Sequence, residues 1–224
     1  MICIITAFRH ELAPMLEGST WHTEKVGGRL FYQRTLASGT ELVATSSGLG
    51  KVMASATTQL MISSFAPRLL INFGSCGGLA PGMKIGDAVL ASSVIEYDFN
   101  SLHKASPRLE CEPTWIELLR KNFPFLKVGP LASADQNADT PEKRAWIHEQ
   151  FQALAADWEG AAVVRVAHRN RLPALVVRGV TDIGNDELSR EYAEHAAHVL
   201  TEMSDLLKNI ILAIDEQLHR DSQY

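Results

Sequence analysis

An excess of positive charge, paired cysteines and long apolar runs are what this 224-residue sequence lacks. Lys and Arg number 21 against 26 Asp and Glu, a formal net charge of -5. There is thus no basic footprint for nucleic acid or for an anionic membrane surface. No apolar run approaches the ~18 residues that span a bilayer. The opening "MICIITAFRHEL" has no basic leader and carries charge too early for a secretion signal. The three cysteines, Cys3, Cys76 and Cys111, are odd in number and far apart. They offer neither a disulfide frame nor a zinc-ligand spacing, and a reducing cytoplasm is the expected compartment. His195 and His198 stand three apart in a helical pattern with no third ligand suitably spaced, so no metal is expected.

What is present is a core. Hydrophobic residues make up 46% of the chain, and its length suits one domain over residues 1–224. Short β-branched runs ("ICIITAF", "RLLINFG", "AVLASSVIEYD", "KVGPLASAD", "ALVVRGVTD") alternate with helical patterns. Helices are expected over residues 9–16, 52–65, 113–123, 140–154 and about 189–219, the last with a break near Ser204. Thr140 and Pro141 form a helix start of N-cap and first-turn type, and residues 37–40 mark a hairpin. The loop "SCGGLAPGMKIGD" and residues 100–112 read as irregular. The fold class that follows is α/β: a three-layer single domain with a mostly parallel, mixed central sheet flanked by helices.

In such sheets ligands bind beyond the carboxyl ends of the strands. The polar residues collected there are Glu11, residues 47–50, Ser75 with Gly77 and Gly78, Ser133 with Asp135, Asp157 with Glu159, and Arg178 with Asp182. The glycine loop lacks both G-x-G-x-x-G order and the Walker pattern, so nucleotide-phosphate binding by those devices is not expected. Arg178 inside "VVRGV" needs a buried partner, for which Glu11 and Glu159 are the candidates. The stretch "LAADWEGAAVVRVAHRN" reads as a strand delivering Asp157 and Glu159 to the rim, then a helix. Asp157 is placed to cap that helix, with Glu159 at its positive end.

Taken in order, "ITAFRHEL", "SSGLGKVMA", "LLINFGSCGGLAPGMKIGDAV", "DWEGAAVVRVA" and "VVRGVTD" resemble the methylthioadenosine/S-adenosylhomocysteine nucleosidases of the purine nucleoside phosphorylase superfamily. The resemblance spans nearly the whole chain. It implies a nucleoside phosphorylase-like fold, no cofactor, a purine nucleoside as small-molecule partner, and a homodimer or larger homo-oligomer. It also implies roles. Asp182 would be the acid that protonates the departing base, kept protonated near neutral pH. Glu159 would grip the ribose hydroxyls against an oxocarbenium-like sugar. Glu11 would activate water with Ser75 and Arg178, and Ser133, Asp135, Gln136 and Asn137 would form the purine-side loop beside Gly77 and Gly78.

Asn72 stands where phosphorylases of the superfamily carry a phosphate-binding arginine, and Glu11 would repel phosphate. Water is therefore the expected acceptor, with a phosphate-dependent phosphorylase as the alternative and Arg9 as the nearby cation that would serve it. Where the family usually has a methionine between the two acidic residues, this chain has Trp158, and Gln136 and Asn137 replace a stacking aromatic. A family phenylalanine falls near Arg190, with Tyr192 close by. A different nucleoside, futalosine among them, is the second alternative; Asp182 leans the base toward adenine, and Asn185 lies three residues on. A non-catalytic nucleoside-binding protein would have lost one of Glu11, Glu159 or Asp182, and all three are here.

Overall fold

The computed structural model describes residues 1–99, 101–183 and 188–221, without the side chains of 188–191 and 221. Asn185 and the side chain of Arg190 therefore lie outside the described residues. The chain runs β1 (Ile2–Thr6), α1 (Arg9–Leu16), β2 (His22–Val26), β3 (Arg29–Thr35), β4 (Glu41–Ser46), α2 (Lys51–Phe65), β5 (Leu69–Gly78) and β6 (Ala88–Glu96). It continues through β7 (Arg108–Glu110), α3 (Pro113–Asn122), β8 (Lys127–Ser133), α4 (Pro141–Phe151), β9 (Ala155–Asp157), α5 (Gly160–Arg169), β10 (Ala174–Asp182) and α6 (Leu188–Asp221).

One mixed sheet holds these strands in the order β10-β6-β8-β9-β5-β1-β4-β3-β2, with β7 beside β6. Because β10 also pairs with β5, the strands β5, β9, β8, β6 and β10 close into a ring, and β1, β4, β3 and β2 extend from it as an open wing. β5 is the seam. Its first half pairs in parallel with β1 (Ile2↔Leu69 to Ile5↔Asn72), and its end pairs with β9 (Gly77↔Ala156). Along its length it also pairs in parallel with β10. The strand neighbours thus change at residues 72–77, and such a change opens a crevice at the strand ends.

Period-two alternation decides which side chain meets which helix layer. Ile2, Ile4, Ile71 and Val177 face a core shared with α1, α3 and α6. Cys3, Ile5, Leu70 and Val176 face the other core, built with α2 and α5. β10 is buried at every position, as a strand covered on both faces must be. A smaller cluster joins Ile147 of α4 to Leu79, Ala132 and Ala134.

Several expectations change. The glycine-rich stretch at 74–78 is strand, because β10 and β9 supply ladder partners that outweigh poor glycine propensity. Residues 108–110 pair with β6 instead of looping freely. α6 runs unbroken through Ser204, which is fully buried.

Candidate active site

Glu11 is the third residue of α1, and its carboxylate folds back on the helix start. The Ala7 and Phe8 N–H groups each donate to Oε2 at 2.9 Å. From β5, Ser75 donates to Oε1 through its N–H at 2.9 Å and its Oγ at 2.8 Å. Four donors fill the acceptor positions of a buried carboxylate. The approach is close enough that a Cβ at Gly74 would stand 2.6 Å from Oε1, so a side chain at residue 74 would displace the Glu11 carboxylate.

Beneath this lies a second, fully buried network. Arg178 of β10 donates through Nε to Asp157 Oδ2 at 2.9 Å, and through Nη2 to Asp157 Oδ2 and Asn72 Oδ1, each at 2.5 Å. Its ion-pair partner is thus Asp157, not Glu11 or Glu159 as the sequence reading expects. The reason is register, since Asp157 ends β9 directly across the ring from β10. Arg178 Nη1 is buried with no hydrogen-bond partner among the described residues. Asp157 also accepts from the Gly160 N–H at 2.9 Å, the first residue of α5. Ser133, expected beside the purine, belongs to this network instead. Its Oγ donates to Asp157 Oδ1 at 2.5 Å and accepts from the Ala161 N–H at 2.9 Å. Asp157 and Ser133 together satisfy two N–H groups that the helix start leaves open. Asn72 donates to the Ile5 carbonyl at 3.0 Å and is a strut between strands.

Glu159 is the N-cap residue of α5, but its side chain turns away from its own helix and accepts the Gly50 N–H at 2.9 Å. Burial, then the nearby Asp157 charge, raise its pKa from 4.5 to about 8, against the lowering influence of Arg178. Glu159 is thus a carboxyl held in its protonated form near neutrality. Asp182, the residue expected to be the acid, is ion-paired with Arg144 of α4. Arg144 is buried; its Nε donates to the Ala138 carbonyl and its Nη1 to the Gly78 carbonyl, both at 2.7 Å. The pair lies flat on the strand floor. A Cβ at Gly77 would come within 2.9 Å of Asp182 Oδ1 and 3.2 Å of Arg144 Nη2.

Glu11, Ser75, Gly77, Glu159 and Asp182 line one cavity of about 350 Å³. Trp158, Gln136 and Asn137 line it as well, as expected of substrate-facing residues, and so do Arg144, Phe8 and Tyr192. Asp135 is elsewhere: exposed, it caps α2 by accepting the Lys51 N–H at 2.7 Å. The Lys51 ammonium in turn holds Glu96 at 2.9 Å and Asp98 at 2.5 Å, a loop-holding role. Cys76 also lines the cavity, but burial pushes its thiol well above the ordinary range, which leaves it inert as a nucleophile.

Arg144 is a lining residue that escapes sequence reasoning. Arg144 sits in a helix rich in charge, where an arginine normally faces solvent. The available signal is its spacing from Ile147 and Phe151, which puts it on the apolar stripe. Tyr192 meets His10, with Oη and Nε2 2.7 Å apart across 182 positions of sequence, and no local pattern encodes that.

A sequence model of the phosphorylase superfamily matches residues 1–212. The chain belongs to that superfamily. A 5′-methylthioadenosine/S-adenosylhomocysteine nucleosidase of Aeromonas salmonicida is 32% identical to this superfamily member over 203 residues, 81% of this chain and 88% of the relative. The solved nucleosidase of Streptococcus pneumoniae with the transition-state inhibitor MT-ImmA is 27% identical, with a TM-score of 0.87 over 97% of this chain and 99% of its own. A futalosine hydrolase of Helicobacter pylori is 25% identical, with a TM-score of 0.88 over 94% of this chain and 96% of its own. The superfamily fold is thus shared by relatives named for two kinds of nucleoside. Among the described residues no helix is long and apolar enough to cross a membrane, and no cluster of three or more His, Cys, Asp or Glu side chains could hold a metal ion.

Proposed function

We propose that this superfamily member is an N-glycosyl hydrolase that cleaves the N-ribosidic bond of a purine nucleoside with a modified 5′ end and releases the free base. Methylthioadenosine and S-adenosylhomocysteine typify the class, and futalosine is the alternative within it. The observation that carries the reading is the meeting of Glu11, Glu159 and Asp182 with Ser75 on one cavity. Three carboxyl groups of different environment suit the three needs of the reaction: a nucleophilic water, a cationic sugar and a departing base.

Glu159 serves the sugar. As positive charge builds on the ribose, a neighbouring carboxyl is drawn into its ionised form, so the negative charge arrives when the transition state needs it. Glu11, held by four donors, serves the water. The Ser75 hydroxyl is a rotor and the easiest of the four to exchange for a water hydrogen. Arg178 supports the site from beneath, through Asp157. Asp182 stands at the base end of the cavity.

Water is favoured over phosphate because Glu11 is a buried carboxylate and Asn72 is committed to Ile5 and Arg178. Arg9 is exposed. We also read the chain as one domain over residues 1–224, working without a cofactor in the cytoplasm, and as a homodimer or larger homo-oligomer. Its three free, buried cysteines agree with a reducing compartment.

The test is a nucleoside panel with and without phosphate, with ribose and ribose 1-phosphate separated among the products. Free ribose without added phosphate is expected. Glu11→Gln should lower kcat by ~100-fold or more while nucleoside binding persists. A phosphate requirement, or full-rate turnover by that variant, would overturn the reading.

A further inference from the structure

Ala7 and Phe8 line a second cavity besides the one that holds the carboxyl groups. It measures about 480 Å³, and Arg9, Arg29, Ser46 and Gly48 share its wall. The two spaces adjoin again at Gly48, which lines the second, and Leu49, which lines the first. Local structure puts the arginines there. Gly27 and Gly28, at φ +55° and +80°, make the tight turn from β2 into β3. Arg29 is the first residue of β3 after that turn, and Arg9 opens α1 two residues before Glu11.

The two spaces differ in charge. Glu11, Asp157, Glu159 and Asp182 line the first, whereas among the described residues no Asp or Glu lines the second. Elsewhere the buried cations have acidic partners: Arg178 has Asp157, Arg144 has Asp182, and Lys51 has Glu96 and Asp98. Arg9 and Arg29 form no ion pair among the described residues. Arg29 is half-buried, and its Nη1 donates to the Ser46 carbonyl at 2.6 Å. Burial lowers its pKa, and no carboxylate offsets the effect. A guanidinium so placed keeps most of its five donors for a ligand, and its fork matches a carboxylate.

We propose that the second cavity is a subsite in which Arg29 and Arg9 hold the carboxylate of an acidic 5′ substituent, so that the substrate is a nucleoside whose 5′ tail ends in a carboxylate. The inference rests on the hydrolase reading above. With the base at Asp182 and the ribose at Glu159, the 5′ end is left to the wall of Phe8 and Leu49, where the two cavities adjoin. The carboxyl groups of the first cavity repel an anionic tail, and the arginines of the second attract it. Charge thus orients the nucleoside, with the sugar that turns cationic at one set of groups and the anionic tail at the other. A neutral methylthio tail gains nothing from the subsite.

The experiment compares a 5′-(3-carboxypropylthio) nucleoside with its carboxamide, which match in length and differ in charge, each made on adenine and on hypoxanthine. Release of free base gives kcat/KM, and calorimetry gives binding. The expected kcat/KM favours the acid by about 10-fold at low salt, chiefly through KM, and the ratio shrinks as salt rises. Arg29→Gln should bring the ratio close to one, whereas Arg29→Lys should keep a smaller preference of the same sign. Melting curves show which variants are folded. If the Arg29 variants are not, Arg9→Gln, at an exposed position, should lower the ratio as well. Equal turnover of acid and amide by the wild type, or preference for the amide, would overturn this proposal alone. Absence of hydrolysis with the acid bound more tightly would overturn the hydrolase reading and leave the subsite standing. Absence of hydrolysis with equal binding would overturn both. Turnover that requires inorganic phosphate would make phosphate the anion of these arginines, and would overturn both as well.

Discussion

Glu159 shows how one residue can trade stability for function. The folded chain keeps a proton on this carboxyl up to about pH 8, while the unfolded chain loses it near 4.5. The stability from that difference is complete below pH 4.5 and is lost as pH rises through about 8. Above pH 8 the fold carries a buried negative charge that it does not need for its own sake. Glu159→Gln should therefore raise stability at pH 9 by a few kcal/mol, with little change at pH 4, while cutting turnover at least ~100-fold. Urea titrations at the two pH values, beside kcat, check this; equal stabilities at pH 9 would deny the charge burial. At this scale Glu11, Ser75, Glu159 and Asp182 were legible, because polar residues at the ends of apolar strands have few other reasons to be there. Arg144 was not, since a charged residue on a surface-type helix looks the same whether it faces water or a cavity.

Among the elements, the junction of β9 and α5 holds one half of a buried ion pair. Three residues of strand deliver Asp157 to Arg178, which is buried beyond the reach of water. Removing one partner of such a pair typically costs about 3–5 kcal/mol, because the other charge stays buried. Asp157→Asn is accordingly expected to lower stability by that order, visible as a lower urea midpoint with an unchanged slope. Asp157→Asn together with Arg178→Met should recover part of the loss; no recovery would place the defect in the α5 start instead. Elements with their own end signals were read well from sequence. α1 spans the expected residues, and α4 opens on Thr140, whose Oγ1 accepts the Lys143 N–H at 3.2 Å. The stretch at 74–78 was misread because its strand character comes from β9 and β10, about 80 to 100 residues away. β2, exposed along almost all of its length, has no apolar alternation to announce it.

For the whole molecule, the outer surface beside the cavity is unusually apolar. Leu49, which lines the cavity, is 46% exposed, and Val52 and Met53 on the first turn of α2 are 76% and 43% exposed. Leu60 is only partly buried, whereas Met61 belongs to the chain's own core. A second copy covering this face would close the cavity mouth. Sedimentation at micromolar concentration should show a dimer, and Val52→Asp with Met53→Asp should yield a monomer with weakened substrate binding. A wild-type monomer at that concentration would remove the oligomer from the account. The sequence conveyed the architecture through its alternation of strands and helices. It could not convey ring closure, which depends on β10 finding β5 and β6 together.

That closure has a consequence for how the chain comes off the ribosome. β5 is complete by residue 78, but its long partner β10 begins at residue 174. Until then the half-made sheet exposes the edge that β10 will cover, and Asp157 waits without Arg178. Chains emerge from the N-terminus, and long-range pairings form late. The cavity is thus among the last parts of the molecule to exist. A nascent chain cut short before residue 174 would hold Glu11, Ser75 and Glu159 and still have no site.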